Sequence, residues 1–175
     1  MSSISIAGDT SGSVILQAPA VSGSTTLTLP TTSGTIITTN TIPAGQVIQV
    51  VAMNTTTATS TSGTTLVNTT LTASITPSST ANRILVKGSI CGARAGTGAG
   101  VRFYLFDGTS SYPIENYLGY PYANIYCATS FTFIFTPATT SSITYTVRIA
   151  SPFGGTVSIS AEGETSGIVL MEIKG

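Results

Sequence analysis

Three glycines recur at a spacing of eleven residues near the start of the chain: Gly12, Gly23 and Gly34. Each sits in a similar frame, Ser11-Gly12-Ser13-Val14-Ile15-Leu16, then Ser22-Gly23-Ser24-Thr25-Thr26-Leu27, then Ser33-Gly34-Thr35-Ile36-Ile37-Thr38. Pro19 and Pro30 share the spacing. Small, turn-forming residues followed by a short β-favouring run describe a repeat of turn and strand. A unit of this size cannot bury an apolar face alone. It needs neighbours, and with three units in the chain those neighbours are other copies of it. The arm therefore reads as an oligomeric β-structured stalk or anchor. Val14, Ile15, Leu16, Leu27, Leu29, Ile36 and Ile37 are its anchoring residues.

Charge is scarce. Six basic and six acidic residues make up 7% of the 175-residue chain, against about 25% in an average globular protein. Thr and Ser contribute 33 and 23 residues. A chain poor in Glu and Lys and rich in Thr, Val, Ile and Tyr favours strands over helices. Sheet edges without charges invite association. The edges must close on themselves or be buried between subunits.

The same composition excludes several partners. The formal net charge is zero, so a nucleic-acid partner has no electrostatic basis. An anionic membrane surface has none either. No apolar run approaches the length that spans a bilayer, and the N-terminus lacks the basic and apolar regions of a signal peptide.

Residues 1–43 form the repeat arm. Ala7-Gly8-Asp9-Thr10-Ser11-Gly12 reads as a turn, with short strands over 14–18, 25–29 and 36–39. Leu27-Thr28-Leu29 alternates apolar and hydroxylated faces. Ile42-Pro43-Ala44-Gly45 reads as a hinge.

Residues 44–175 form a β-sandwich head of jelly-roll type. Nine strands are expected, over 46–52, 64–68, 71–76, 83–91, 101–106, 130–136, 143–149, 156–160 and 167–173. Phe131, Phe133 and Phe135 fall on one face, as do Tyr145, Val147 and Ile149. The Thr-rich stretch 54–65 reads as a surface loop. Its Asn54-Thr55-Thr56 and the later Asn68-Thr69-Thr70 match glycosylation sequons without a secretion signal to use them. The glycine-rich stretch 92–100 precedes a strand instead of a helix, so it is a wide turn and not a phosphate cradle.

The residues for catalysis are missing. The chain has no histidine, which removes the commonest general base and metal ligand. Cys91 and Cys127 are too few for a zinc site and read as buried free thiols, with a disulfide between them as the second reading. Asp107 with Glu115, or Glu162 with Glu164, has the carboxylate pairing of a glycosidase. Both pairs read better structurally, as the hairpin turn Asp107-Gly108 and a solvated loop. No spacing among the acids recurs as a calcium site would require. We expect no enzyme activity, no cofactor and no metal.

Five of the seven tyrosines, Tyr112, Tyr117, Tyr120, Tyr122 and Tyr126, fall within fifteen residues. Tyrosine joins an apolar ring to a polar tip and suits sugar or protein recognition. The alternative, and the favoured reading, is that these rings pack a subunit interface or cap the sandwich. Arg83, Lys87, Arg94, Arg102 and Arg148 read as solvated strand ends.

The arm sequence from Ile6 to Ala20, continued by Thr26-Leu27-Thr28-Leu29-Pro30, resembles virion proteins of tailed bacteriophages. So do Ile42-Pro43-Ala44-Gly45-Gln46-Val47-Ile48-Gln49-Val50-Val51, the stretch Ile75-Thr76-Pro77-Ser78-Ser79 with Ile84-Leu85-Val86, and Val169-Leu170-Met171-Glu172-Ile173. The resemblance implies a homotrimer with a jelly-roll head, located in the virion and assembled in the host cytoplasm. Such proteins occur as capsid decoration (cement) proteins and as tail-fibre tips. A short chain opening almost directly on the repeat leans toward decoration, with the major capsid protein or another virion component as partner. The fibre-tip alternative has the tyrosines contacting a host surface glycan.

Overall fold

Alternating apolar and hydroxylated residues make strands wherever a second strand can take up their backbone groups. In the computed structural model every regular element among the described residues is a β-strand. The structure describes residues 3–7, 10–17, 31, 42–96, 98–118 and 125–175. Chain contacts divide it into two units, Met1–Thr38 and Thr39–Gly175.

In the first unit, β1 (Ser3–Ala7) and β2 (Ser13–Gln17) pair antiparallel. Gly12 adopts a φ of +81° just before β2, a conformation that costs an L-residue with a side chain. The register sets Ile4 opposite Leu16 and Ile6 opposite Val14. Ile4, Ile6 and Ile15 are exposed. Strand β1 was not expected. The expected strands carrying Leu27, Leu29, Ile36 and Ile37 lie outside the described residues.

The second unit contains β3 (Val47–Thr55), β4 (Thr59–Thr61), β5 (Val67–Ile75), β6 (Arg83–Ala95), β7 (Val101–Phe106), β8 (Ser111–Leu118), β9 (Ile125–Phe135), β10 (Ile143–Ala150), β11 (Val157–Ile159) and β12 (Ser166–Ile173). One sheet runs β5-β10-β7-β8; the larger runs β3-β12-β6-β11-β4, with β9 also pairing β6. Every pairing is antiparallel. This is the all-β sandwich that the strand pattern implies.

The two inner faces supply the core. Leu71, Phe103, Leu105, Tyr145, Val147 and Ile149 from the smaller sheet are buried with Ile84, Val86, Ile90, Ile168 and Leu170 from the larger. Phe131, Phe133 and Phe135 share the inner side of β9, the second and third rings 5.9 Å apart. Gly88 lies beneath the Phe131 ring, where a Cβ would collide with it.

Four expectations need correction. The strands expected at 64–68 and 71–76 are one strand, β5, because buried Thr69 satisfies its hydroxyl on Val147 O at 2.8 Å. The stretch 54–65 is not simply a loop: β3 continues into it and β4 lies within it, paired to β11. The turn expected over 92–100 starts late. Strand β6 runs on to Ala95 through a bulge at Gly92, whose φ is +58°, and β9 keeps the pairing alive beyond it through Ala93 and Cys127. Strand β8 occupies residues where no strand was expected.

Candidate functional site

The larger sheet turns an unusual face outward. Cross-strand register places Val50, Met171, Leu85 and Ile134 in one row over β3, β12, β6 and β9. Val50 and Ile134, on the edge strands, are 57% and 58% exposed. Met171 and Leu85 between them are half-buried. The adjacent row reads Ala52, Val169, Lys87 and Thr132, and Ile173 with Arg83 lies on the other side. Lys87 and Arg83 are the only charges in these rows. Isolated exposed apolar residues need no explanation, but a contiguous apolar row across four strands is a candidate interaction surface.

This face was legible in principle. Strands buried on both sides read as unbroken apolar runs instead of alternating ones. Ile84-Leu85-Val86, Ile168-Val169-Leu170-Met171 and Phe133-Ile134-Phe135 are such runs.

The described tyrosines of the aromatic stretch, Tyr112, Tyr117 and Tyr126, pack on different partners. Tyr112 is half-buried and packs on Phe135, ring centroids 4.9 Å apart. Its hydroxyl donates to Asp107 Oδ2 at 2.9 Å. Tyr117 is exposed, with a φ of 65°. Its ring stacks on exposed Phe153 at 5.6 Å and its hydroxyl accepts from Arg102 Nη2 at 2.9 Å. Tyr126 lies beneath the Arg94 guanidinium and donates to Glu162 Oε1 at 2.7 Å. Tyr120 and Tyr122 lie outside the described residues.

Three arginines read as solvated strand ends are engaged instead. Arg102 and Arg94 lie over the rings of Tyr117 and Tyr126. Arg148 sits over Phe106, 3.3 Å from the ring centre, and its Nε donates to Asn68 Oδ1 at 2.7 Å. A guanidinium is weakly hydrated and planar, so it covers an aromatic ring at low cost. Cys91 and Cys127 are free thiols, as expected, but half-buried instead of fully so.

The carboxylates hold turns and loops. Asp107 Oδ1 accepts from Thr109 N at 2.8 Å and Ser110 N at 2.7 Å, closing the β7–β8 hairpin. Burial pushes its pKa up, but the bonds from Ser110, Thr109 and Tyr112 together hold it below the ordinary value. Glu162 N donates to Glu164 Oε2 at 2.9 Å within their own loop.

Glu172 did not stand out from the sequence and is the most buried acid among the described residues. It is 1% exposed, on the inner side of β12. Its Oε1 accepts from Ser78 N at 2.6 Å, Ser78 Oγ at 2.9 Å and Asn82 Nδ2 at 2.6 Å. Burial raises its pKa, and those bonds outweigh burial to hold it below the ordinary carboxylate value. The group pins the 76–82 connection to the end of the larger sheet. Among the described residues no cluster of His, Cys, Asp or Glu is arranged to hold a metal ion.

No protein-family model and no curated protein matches the chain. Solved structures of similar fold come from infectious bursal disease virus. The VP2 subviral particle aligns with a TM-score of 0.51 at 15% identity, covering 73% of this chain and 33% of that one. The Gx strain structure gives 0.48 at 15% identity, covering 74% and 33%. T=1 particles derived from the virus give 0.46 at 12% identity, covering 93% and 45%. This chain thus spans a third to under half of the length of those chains, and what it shares with the VP2 of the subviral particle is the fold.

Proposed function

We propose that this protein is a non-enzymatic structural component of a virion. In the finer form of the proposal it is a homotrimeric capsid decoration protein of a tailed bacteriophage, assembled in the host cytoplasm. Its arm, residues 1–43, grips the major capsid protein, and its head, residues 44–175, stands outward. The observation that carries this reading is the hairpin of β1 and β2 with Ile4, Ile6 and Ile15 exposed. A two-stranded hairpin is marginal in water by itself and gains stability when its apolar residues are covered. Burial against capsid supplies about 25 cal/mol per Å² of apolar area before ordering costs. The sandwich fold, shared with a protein of a subviral particle, agrees with the reading.

The test compares the full-length protein, an Ile4→Lys/Ile6→Lys variant and a version lacking residues 1–40. Each is mixed with capsids stripped of the protein and with host cells. Binding to capsids that disappears in both altered forms, without cell binding, is the expected result. Capsid binding unaffected by either change sinks the arm-anchoring mechanism.

A second reading makes the head a tail-fibre tip that binds a host surface glycan. The exposed Tyr117–Phe153 stack beside Arg102 favours it, since sugar rings lie on exposed aromatic faces. It requires Tyr117→Ala to abolish cell attachment while the protein stays folded.

A further inference from the structure

We infer that the outer face of the β3-β12-β6-β9 sheet docks against the same face of a second copy of this chain. The Val50–Met171 half of one copy covers the Leu85–Ile134 half of the next.

The argument begins with the order of the row. Val50, Met171, Leu85 and Ile134 run from one edge of the sheet to the other. A two-fold axis parallel to the strands, placed between β12 and β6, sets Ile134 over the neighbour's Val50 and Leu85 over its Met171. Every apolar residue of the row then meets an apolar residue.

The charges support this pairing. Lys87 pairs with Val169 in the sheet, and Arg83 with Ile173. The same operation therefore sets Lys87 over a Val169 and Arg83 over an Ile173 of the second copy. No cation faces a cation. An axis laid along the row instead sets Lys87 over Arg83, so like charges disfavour that alternative. The aliphatic stems of both cations lie flat on apolar surface while their heads reach the rim.

The face also offers a recess. Gly167, in the row beyond Val169, leaves a hollow of about 290 Å³ beside Asn54, Lys87 and Ser89. A Cβ at Gly167 would come within 2.6 Å of Asn54 Oδ1. The hollow has room for a side chain from the opposing copy.

The area is sufficient. Four strands about 4.8 Å apart and seven residues of about 3.3 Å each outline a patch of about 19 by 23 Å. Two such patches, with side-chain relief, bury on the order of 1,000 Å², the lower bound for a specific interface. Two copies satisfy the pairing about a two-fold axis. A two-fold contact of this kind joins two chains and is separate from the contacts that would close the proposed homotrimer. The inference concerns copies of this chain alone and does not depend on what the arm binds.

Cysteine linkage in the full-length chain tests it. Val50 and Ile134 lie three strand spacings apart, about 14 Å, too far for a disulfide or a short linker within one chain. Facing sheets stack about 10 Å apart, beyond direct disulfide reach, so with a bis-maleimide spanning about 8 Å the Val50→Cys/Ile134→Cys variant is expected to form covalently linked chains on a denaturing gel. Each single variant is expected to migrate as wild type. A double variant that remains unlinked overturns the inference, as does a wild-type protein that stays monomeric at high concentration by light scattering. Ile134→Glu is expected to weaken self-association at least tenfold, and adding Val50→Lys to the same chain is expected to restore it. Ile134 is exposed on an edge strand, so both forms should retain the far-ultraviolet β signal of wild type. Restoration fails if the two positions do not face each other. Failed linkage with intact arm-dependent capsid binding removes this interface and leaves the proposed function standing.

Discussion

The two sheets of the sandwich follow the same alternation and turn different chemistry outward. On the smaller sheet the outer sides of β5 and β10 are mostly hydroxylated, with Asn68 and Arg148 beside them and Thr146 itself buried. Thr72 Oγ1 and Thr146 Oγ1 lie 2.9 Å apart, and Ser74 Oγ and Thr144 Oγ1 lie 2.7 Å apart. These groups bond to each other or to water and gain little from being covered. On the larger sheet the corresponding positions hold Val50, Met171, Leu85 and Ile134. Each square ångström of that row gains about 25 cal/mol when water leaves it. The inner faces explain why the head folds. The contrast between the outer faces separates the side that meets solvent from the side that meets a neighbour.

Adjacent residues on β12 sharpen the contrast most. Leu170 points inward and is fully buried, while Met171 points outward and is half-buried. Leu170→Ala should destabilise the isolated head by about 2–5 kcal/mol in urea unfolding, through lost transfer energy and the cavity left behind. Met171→Ala should cost about 1 kcal/mol or less in the dissociated protein and should weaken self-association instead. Equal losses at the two positions would mean that both faces of β12 are packed within one chain, and the contrast would disappear.

Glu172 provides the next largest effect, on the inner side of the same strand. Glu172→Ala removes the acceptor of the Ser78 amide and of one N–H of Asn82 Nδ2, whose other N–H keeps Ser78 Oγ at 3.1 Å. It should cost on the order of 3 kcal/mol. The pH dependence has a definite sign. The folded-state pKa lies below the ordinary value, so the carboxylate's contribution is fully present above the ordinary range. It is lost as pH falls through the folded-state value. Wild type should therefore lose stability on acidification below about pH 4, and Glu172→Gln should lose less over that interval. Identical acid profiles would show that another carboxylate, such as Asp107, governs the transition.

Strand β10 was legible because dense alternation, as in Tyr145-Thr146-Val147, leaves one register that buries the apolar set, and β12 because Ile168-Val169-Leu170-Met171 is a short unbroken apolar run. Strand β8 was not, because Pro113 and Asn116 argue against a strand. The sheet accommodates them at its edge, with register shifts on either side of Phe103. The bulge at Gly92 was read as a turn, since glycine signals both and only pairing with β9 tells them apart. Glu172 gave no signal, because its partners Ser78 and Asn82 are ninety or more residues away in sequence. The tyrosine-rich stretch stood out by composition, but composition does not say where each ring goes. Tyr112 and Tyr117 belong to a strand that sends the first to Phe135 and the second to Phe153.

The smallest effect tests the hydroxylated side of the comparison. Ser74 and Thr144 bond across the pair of strands β5 and β10, both exposed. If that face is simply solvated, Thr144→Val frees Ser74 to bond with water, and the loss should be about 0.5 kcal/mol or less. Ser74→Ala/Thr144→Val removes both partners and should be close to neutral. The coupling energy from the double-mutant cycle should then be no more than a few tenths of a kcal/mol. A coupling of 2 kcal/mol would mean that the hydroxyl pair is shielded from water, as it would be if another surface covered it. The smaller sheet would then be a contact face as well, and the asymmetry between the two outer faces would lose its meaning. Urea midpoints for the four proteins of the cycle, measured at a concentration where wild type is dissociated, distinguish the two outcomes.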